Sequence, residues 1–364
     1  HVEQIFNSYG QAGLVLAATS GGQALAGPLT SRWMGRWGMR TVINTTLVIS
    51  LISMAAIAYF SMPLWWYIGF GLLCGLATPP IQPAVRTIYP KLVNSRQLTP
   101  LFSLDASAQE IIWIAGPVLT AFLAIQVSPP VAITVAGVFL IIGGLWFITA
   151  PELGTVRIPP SKRRFGIVLQ NRAVVIATIT GFLLIGAAAA LEVSVVSVFG
   201  EQGPQAGIIL SLWAIASLIG GLALGGMAIG PWALAGRMSV VAFGLLLAMG
   251  STDFWWLVGT LAIAGLGIAP ALTVMFAIVS ATVKFSETAE AYGWVGSGQL
   301  IGAALGSAIA GFAVDAFGSF GGFVAAFCIG LLGALVATVL RGFQPDLRGR
   351  DPSPPPETEP ITLG

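Results

Sequence analysis

The chain has 364 residues, of which 56% are apolar and 8% charged, and its mean hydropathy is +0.90. So little charge cannot cover the surface of a water-soluble protein, which places the chain among integral membrane proteins. The only histidine, His1, is terminal, which removes histidine-based catalysis and metal binding, and Cys74 and Cys328 fall inside apolar runs as small buried hydrophobes.

A membrane-crossing helix needs about 20 apolar residues. On that measure eleven spans are predicted, near 11–30, 41–60, 64–88, 101–125, 131–150, 172–199, 205–229, 237–250, 255–283, 291–315 and 320–340. Pro79, Pro80, Pro83, Pro117 and Pro270 lie inside spans, where neighbouring helices re-satisfy the backbone groups that proline frees. Those of the third and ninth spans predict bends.

Between the first two spans, residues 27–40 read GPLTSRWMGRWGMR and bring Arg32, Arg36 and Arg40 together in a short turn flanked by Trp33 and Trp37. Arginine clusters between spans are retained on the cytoplasmic side. With this loop inside, alternate connections are inside as well. They hold Arg86, Lys91, Arg96, Arg157, Lys162, Arg163, Arg164, Arg172, Arg237, Lys284, Arg341, Arg348 and Arg350, so all 16 Lys and Arg share one side. The opposite connections carry only Glu201 and Asp253, with Glu3 and Asp315 near span ends. The expected placement is a plasma membrane, with basic loops and C-terminal tail cytoplasmic.

This divides the chain into an N-terminal bundle at 1–150, a cytoplasmic central loop at 151–171, a C-terminal bundle at 172–340 and a tail at 341–364. The tail ends in DPSPPPETEP and then ITLG, too polar and proline-rich to bury a core, and is expected to be disordered.

The two bundles repeat one another. QAGLVLAATSGGQALAG at 11–27 recurs as QAGIILSLWAIASLIGG at 205–221. Trp65 and Trp66 recur as Trp255 and Trp256, Gly75 and Leu76 as Gly265 and Leu266, Pro80 as Pro270, Gln109 as Gln299 and Gly116 as Gly306. Parallel halves of this kind build transporters with a substrate site between the halves. The span at 172–199 precedes its own QAG segment, and its counterpart would fall before residue 1. The chain therefore reads as helices 2 to 12 of a six-plus-six protein with the first helix absent; eleven true spans with an external N-terminus is the alternative.

Six plus six spans, a charged central loop and an arginine-rich turn after the second helix resemble the major facilitator superfamily of transporters. Its helix 2–3 signature, Gly-x-x-x-Asp-Arg-x-Gly-x-Arg, aligns to Ser31, Gly35, Arg36, Gly38 and Arg40. Arg36, Gly38 and Arg40 match; Ser31 replaces the first Gly and Gly35 the Asp. In the family that Asp helps lock the cytoplasmic side through charge contacts with the opposite half. Half of the family's antiporter signature, Gly-Pro-x-x-Gly-Gly, survives as Gly116-Pro117 followed by Thr120-Ala121. The resemblance implies an all-α fold of two six-helix bundles related by a pseudo-two-fold repeat, eleven spans of which are present, and a cavity lined by the first, fourth, seventh and tenth helices.

Polar groups inside spans are costly and mark function by default. Glu192 lies about 30 Å of helix from the basic end of the sixth span, and Glu110 about 14 Å into the fourth, at 1.5 Å per residue. Each is a candidate for taking up and releasing a proton, the alternative being a structural carboxyl that pins two helices. Gln82 within PPIQP, Gln109 and Gln299 are candidate cavity groups, and Trp113 and Trp294 either stack on a ring substrate or fill gaps between helices. Arg86 and Asp105 face one another across a hairpin near the basic side, as a structural ion pair or as a gate. Glu290 is a candidate partner for the arginine turn, and Arg36 and Arg40 are expected to use helix C-terminal carbonyls, lipid phosphates or Glu290. GGLALGG at 220–226 lies inside a span with no Lys, which excludes a phosphate loop.

No nucleophile–base pair, metal cluster or cofactor loop is visible, so neither an enzyme nor a cofactor is expected. The sequence reading is a monomeric secondary transporter of a small organic solute, working by alternating access and coupled to protons, without nucleic-acid partners. Export is favoured; an importer or facilitator, or a transport-inactive scaffold or sensor, are the alternatives.

Overall fold

The computed structural model describes residues 1–161, 163–200 and 204–355. Lys162, Glu201 and the end of the tail at 356–364, all used above, lie outside the described residues. Within them the chain is helical throughout: α1 (Val2–Phe6), α2 (Tyr9–Trp37), α3 (Met39–Tyr59), α4 (Leu64–Leu76), α5 (Ile81–Leu92), α6 (Ser95–Gln126), α7 (Pro129–Thr149), α8 (Pro151–Thr155), α9 (Arg172–Phe199), α10 (Pro204–Leu224), α11 (Ala233–Ala248), α12 (Phe254–Thr282) and α13 (Phe285–Val339).

Each predicted span has a helix. Among the described residues, eight helical stretches are long and apolar enough to cross a membrane. The 29-residue α2 and the 16-residue α11, which fall outside those eight, lie on the first and eighth predicted spans. The 55 residues of α13 count as two crossings, because the helix breaks at Gly318, whose φ of 68° only glycine adopts without strain. The third span is two pieces, α4 and α5, parted at Pro79 and Pro80, whereas Pro270 lies inside an unbroken α12. The arginine turn is tighter than the sequence suggests. Helix α2 runs on through Arg32 and Arg36 to Trp37, and the chain reverses at Gly38 alone, with φ at 86°.

The chain forms two compact units. One comprises His1–Leu92, Ala115–Arg164 and Phe285–Ser297; the other comprises Val93–Ile114, Phe165–Lys284 and Gly298–Gly364. The first unit therefore includes the start of α13, and the second the start of α6.

Within each unit, helices meet through glycine. Lipid supplies no hydrophobic force between helices, so close backbone approach has to hold them together. In the first unit a Cβ on Gly22 would stand 2.6 Å from the Leu72 carbonyl, and one on Gly75 would collide with the Thr19 carbonyl. In the second, a Cβ on Gly265 would collide with the Trp213 carbonyl. Thr19 and Trp213 are mates in the QAG repeat, and Gly75 and Gly265 are mates in the tryptophan repeat, so the same glycine-on-carbonyl contact is made in both units. In the second unit Gly298, Gly302 and Gly306 also lie one turn apart along α13, against the backbone of α9 at Thr178, Phe182 and Gly186.

The segment after α7 belongs to the fold of the first unit. Leu153 and Ile158 are buried with Met34, Met39, Val42, Ile43, Ala84, Ile88, Phe285 and Ala289. In the second unit, the first residues of the tail are also ordered. Gln344 Nε2 donates to the Ala337 carbonyl at 3.0 Å, and the Leu347 amide donates to the Ile229 carbonyl at 2.9 Å.

Candidate functional site

In the first unit, charged groups gather at the basic-loop ends of α2 and α13. Arg32, on the penultimate turn of α2, places Nη1 2.7 Å from Glu290 Oε2, and the Glu290 side chain is only 1% exposed. The Arg32 Nη2 donates to the Arg163 carbonyl, and Arg163 Nε stands 3.5 Å from Glu287 Oε1. The ion pair is supported by packing: Ser297 Oγ donates to the Ala24 carbonyl at 2.5 Å, and a Cβ on Gly27 would stand 3.1 Å from the Gly293 carbonyl. A carboxylate this buried needs its cation, since removing one partner strands the other charge out of water.

The remaining members of the arginine turn differ in setting. Arg40 Nη2 donates to the Ala150 carbonyl at the end of α7, 3.3 Å away, while Arg36 is exposed at the end of α2. Glycine at 35 is accounted for by the central segment, which crosses so closely that a Cβ there would lie 3.0 Å from the Pro159 carbonyl. Arg86 is fully buried in this unit, and Gln82 is exposed on α5. Trp294 is half-buried on α13.

In the second unit, Glu110 of α6 is buried and hydrogen-bonded to Ser217 of α10. Ser217 Oγ also accepts the Ala269 amide at 3.1 Å, which leaves its hydroxyl proton to point at the carboxyl. Glu192 of α9 is close enough to Glu110 for their charges to interact. It is exposed on a helix whose flanking Leu191, Ser194 and Val195 are buried. The structure thus brings the two sequence-predicted carboxyls into one neighbourhood and adds a serine between helices.

Around them, Ser103 Oγ donates to the Gly221 carbonyl at 2.5 Å. Gln109 Nε2 donates within α6 to the Asp105 carbonyl at 3.4 Å. Gln299 packs on Gly181 with a buried Nε2, and Trp113 is exposed on α6. Asp105 lies in this unit and Arg86 in the other.

Ser217, the pairing of Arg163 with Glu287, and the packing role of the glycine run 298–302–306 were not singled out from sequence. The signals were available: Ser217 is the repeat mate of Gln23, and the glycines follow the four-residue spacing of close helix packing. Arg163 carried no such signal, because a loop residue's partner depends on how the loop folds.

Paired membrane-spanning halves, carboxyls held within spans and an ion-pair cluster at one end of the helices define a secondary transporter of small solutes, not an enzyme. The chain belongs to the Major Facilitator Superfamily, whose family profile matches residues 1–249 and 203–363. In fold it is similar to the human organic anion transporter MFSD10 (TETRAN), with a TM-score of 0.69 at 18% identity over 90% of this chain and 83% of that one. Among curated protein sequences, none matches.

Proposed function

We propose that the protein is a proton-coupled exporter of a small, neutral or cationic organic solute, resident in the plasma membrane as a monomer with its basic loops cytoplasmic. The observation that carries the coupling is the buried Glu110, hydrogen-bonded to Ser217 and electrostatically linked to the accessible Glu192. Glu192 exchanges its proton with the aqueous path, and Glu110 shares that proton within the second unit. A solute that displaces the proton from this neighbourhood then moves in exchange for it. Carboxylates attract cations and repel anions, so the organic-anion description of the structural neighbour is not carried to this chain.

In this reading Arg32–Glu290 and Arg163–Glu287 form a gate at the cytoplasmic side, with Arg86 and Asp105 as further gate residues, and alternating access moves the solute. Gln82, Gln109, Gln299, Trp113 and Trp294 are the proposed solute contacts. The test is transport into inverted vesicles under an imposed pH gradient, with Glu110→Gln and Glu192→Gln alongside the parent chain. Both variants should retain solute binding and lose dependence on the gradient. If both keep full gradient-driven uptake, the coupling assignment is wrong; uptake that never depends on the gradient makes the protein a facilitator.

A further inference from the structure

One face of α2 is exposed in an ordered way. Gly21, Leu25, Leu29, Trp33 and Trp37 recur every fourth residue as exposed positions, and Arg36 is exposed with them. Leu25 and Leu29 are 66% and 37% exposed, Trp33 and Trp37 39% and 53%. These leucines stand about 200° of helix turn from Gly27, where α2 meets α13, so this face points away from that contact. From mid-span towards Gly38 the ribbon passes from aliphatic to aromatic to cationic.

A phospholipid presents the same order: acyl chain, glycerol-ester interface, phosphate. Trp33 and Trp37 pack on each other with ring centroids 5.1 Å apart, forming a plate at the level where tryptophan favours the membrane interface. Beyond that plate Arg36 is exposed at the end of α2. Arg40 is exposed across the turn, steadied by the Ala150 carbonyl. We propose that this ribbon binds one anionic phospholipid, its acyl chain along Leu25 and Leu29 and its phosphate at Arg36 and Arg40. A lipid fits better than free phosphate because the aliphatic and aromatic parts of the ribbon continue straight into the cationic part.

The attraction of one arginine to an anionic membrane surface corresponds to about a fivefold gain in binding. The full chain is reconstituted in phosphatidylcholine nanodiscs holding a minor fraction of brominated phosphatidylglycerol or, separately, brominated phosphatidylcholine. Bromine quenches nearby indoles, and subtracting the signal of Trp33→Phe/Trp37→Phe isolates these two among the protein's tryptophans. The expected result is stronger quenching by the anionic lipid at equal mole fraction, a preference that Arg36→Gln lowers about fivefold. Arg96→Gln, an exposed arginine off the ribbon, should retain the preference. Equal quenching by both lipids overturns the proposal, as does a preference that survives Arg36→Gln. Equal loss in Arg96→Gln assigns the effect to bulk charge and also overturns it. Complete competition by inorganic phosphate makes the site one for free anions rather than for lipid.

Discussion

Gly35 stands where the superfamily signature has Asp, and restoring that Asp is expected to harm this chain. The Cβ alone would meet the Pro159 carbonyl at 3.0 Å, and a carboxylate would then be forced against a carbonyl oxygen. Gly35→Asp should cost about 1–3 kcal/mol through crowding and repulsion, read as a lower apparent melting temperature in detergent. A variant as stable as the parent would mean that the central segment does not seat on α2. The neighbouring ion pair makes a second prediction. Glu290 is almost wholly buried and Arg32 is 22% exposed, so Glu290→Gln removes the negative charge of the pair in a poorly hydrated place. The expected loss is about 3 kcal/mol, which makes local opening of residues 285–297 roughly a hundredfold more frequent. Amide hydrogen exchange of that segment checks it; exchange at the parent rate would show that the pair contributes no net stability.

At the scale of helices, the α9–α13 seam is the most exacting contact of the second unit. Gly302 allows no side chain, since its Cβ would collide with the Phe182 carbonyl, whereas a Cβ on Gly311 of the same helix meets nothing within 4 Å. Gly302→Val should therefore unfold or markedly destabilise the protein, and Gly311→Ala should be neutral or stabilising by about 0.5–1 kcal/mol through helix propensity. Similar melting temperatures for the two would contradict the seam. This contrast also shows what was legible in the sequence. Apolar runs located the helices, because the bilayer demands about 20 apolar residues whatever the packing. The repeat was readable because mates such as Gly75 and Gly265 make the same backbone contact. Exact ends were not: α2 continues through two arginines because their long side chains leave the helix for Glu290, the Arg163 carbonyl and water. Glu110 and Glu192 were each legible as costly residues, but their closeness depends on how α6, α9 and α10 pack, which no local pattern records.

On the scale of the whole molecule, α13 is divided between the two compact units. Its first turns, Phe285–Ser297, pack in the first unit and the remainder packs in the second. Alternating access requires that some contact along such a helix be made in one state and broken in another, because a transporter open to both sides would leak. The contact at Ala24, Gly27, Gly293 and Ser297 is suited to that role. It is close, with Ser297 Oγ 2.5 Å from the Ala24 carbonyl and a Cβ on Gly27 only 3.1 Å from the Gly293 carbonyl. In the proposed cycle this seam separates when Arg32 releases Glu290. Locking it should then arrest the cycle without unfolding the protein. In a background with Cys74 and Cys328 replaced by Ala, the pair Ala24→Cys/Ser297→Cys is expected to cross-link on mild oxidation. The oxidised protein should bind solute from one side only and lose transport, and reduction should restore it. If the cross-linked protein transports at the reduced rate, this seam stays closed throughout the cycle and the moving contact lies elsewhere along α13.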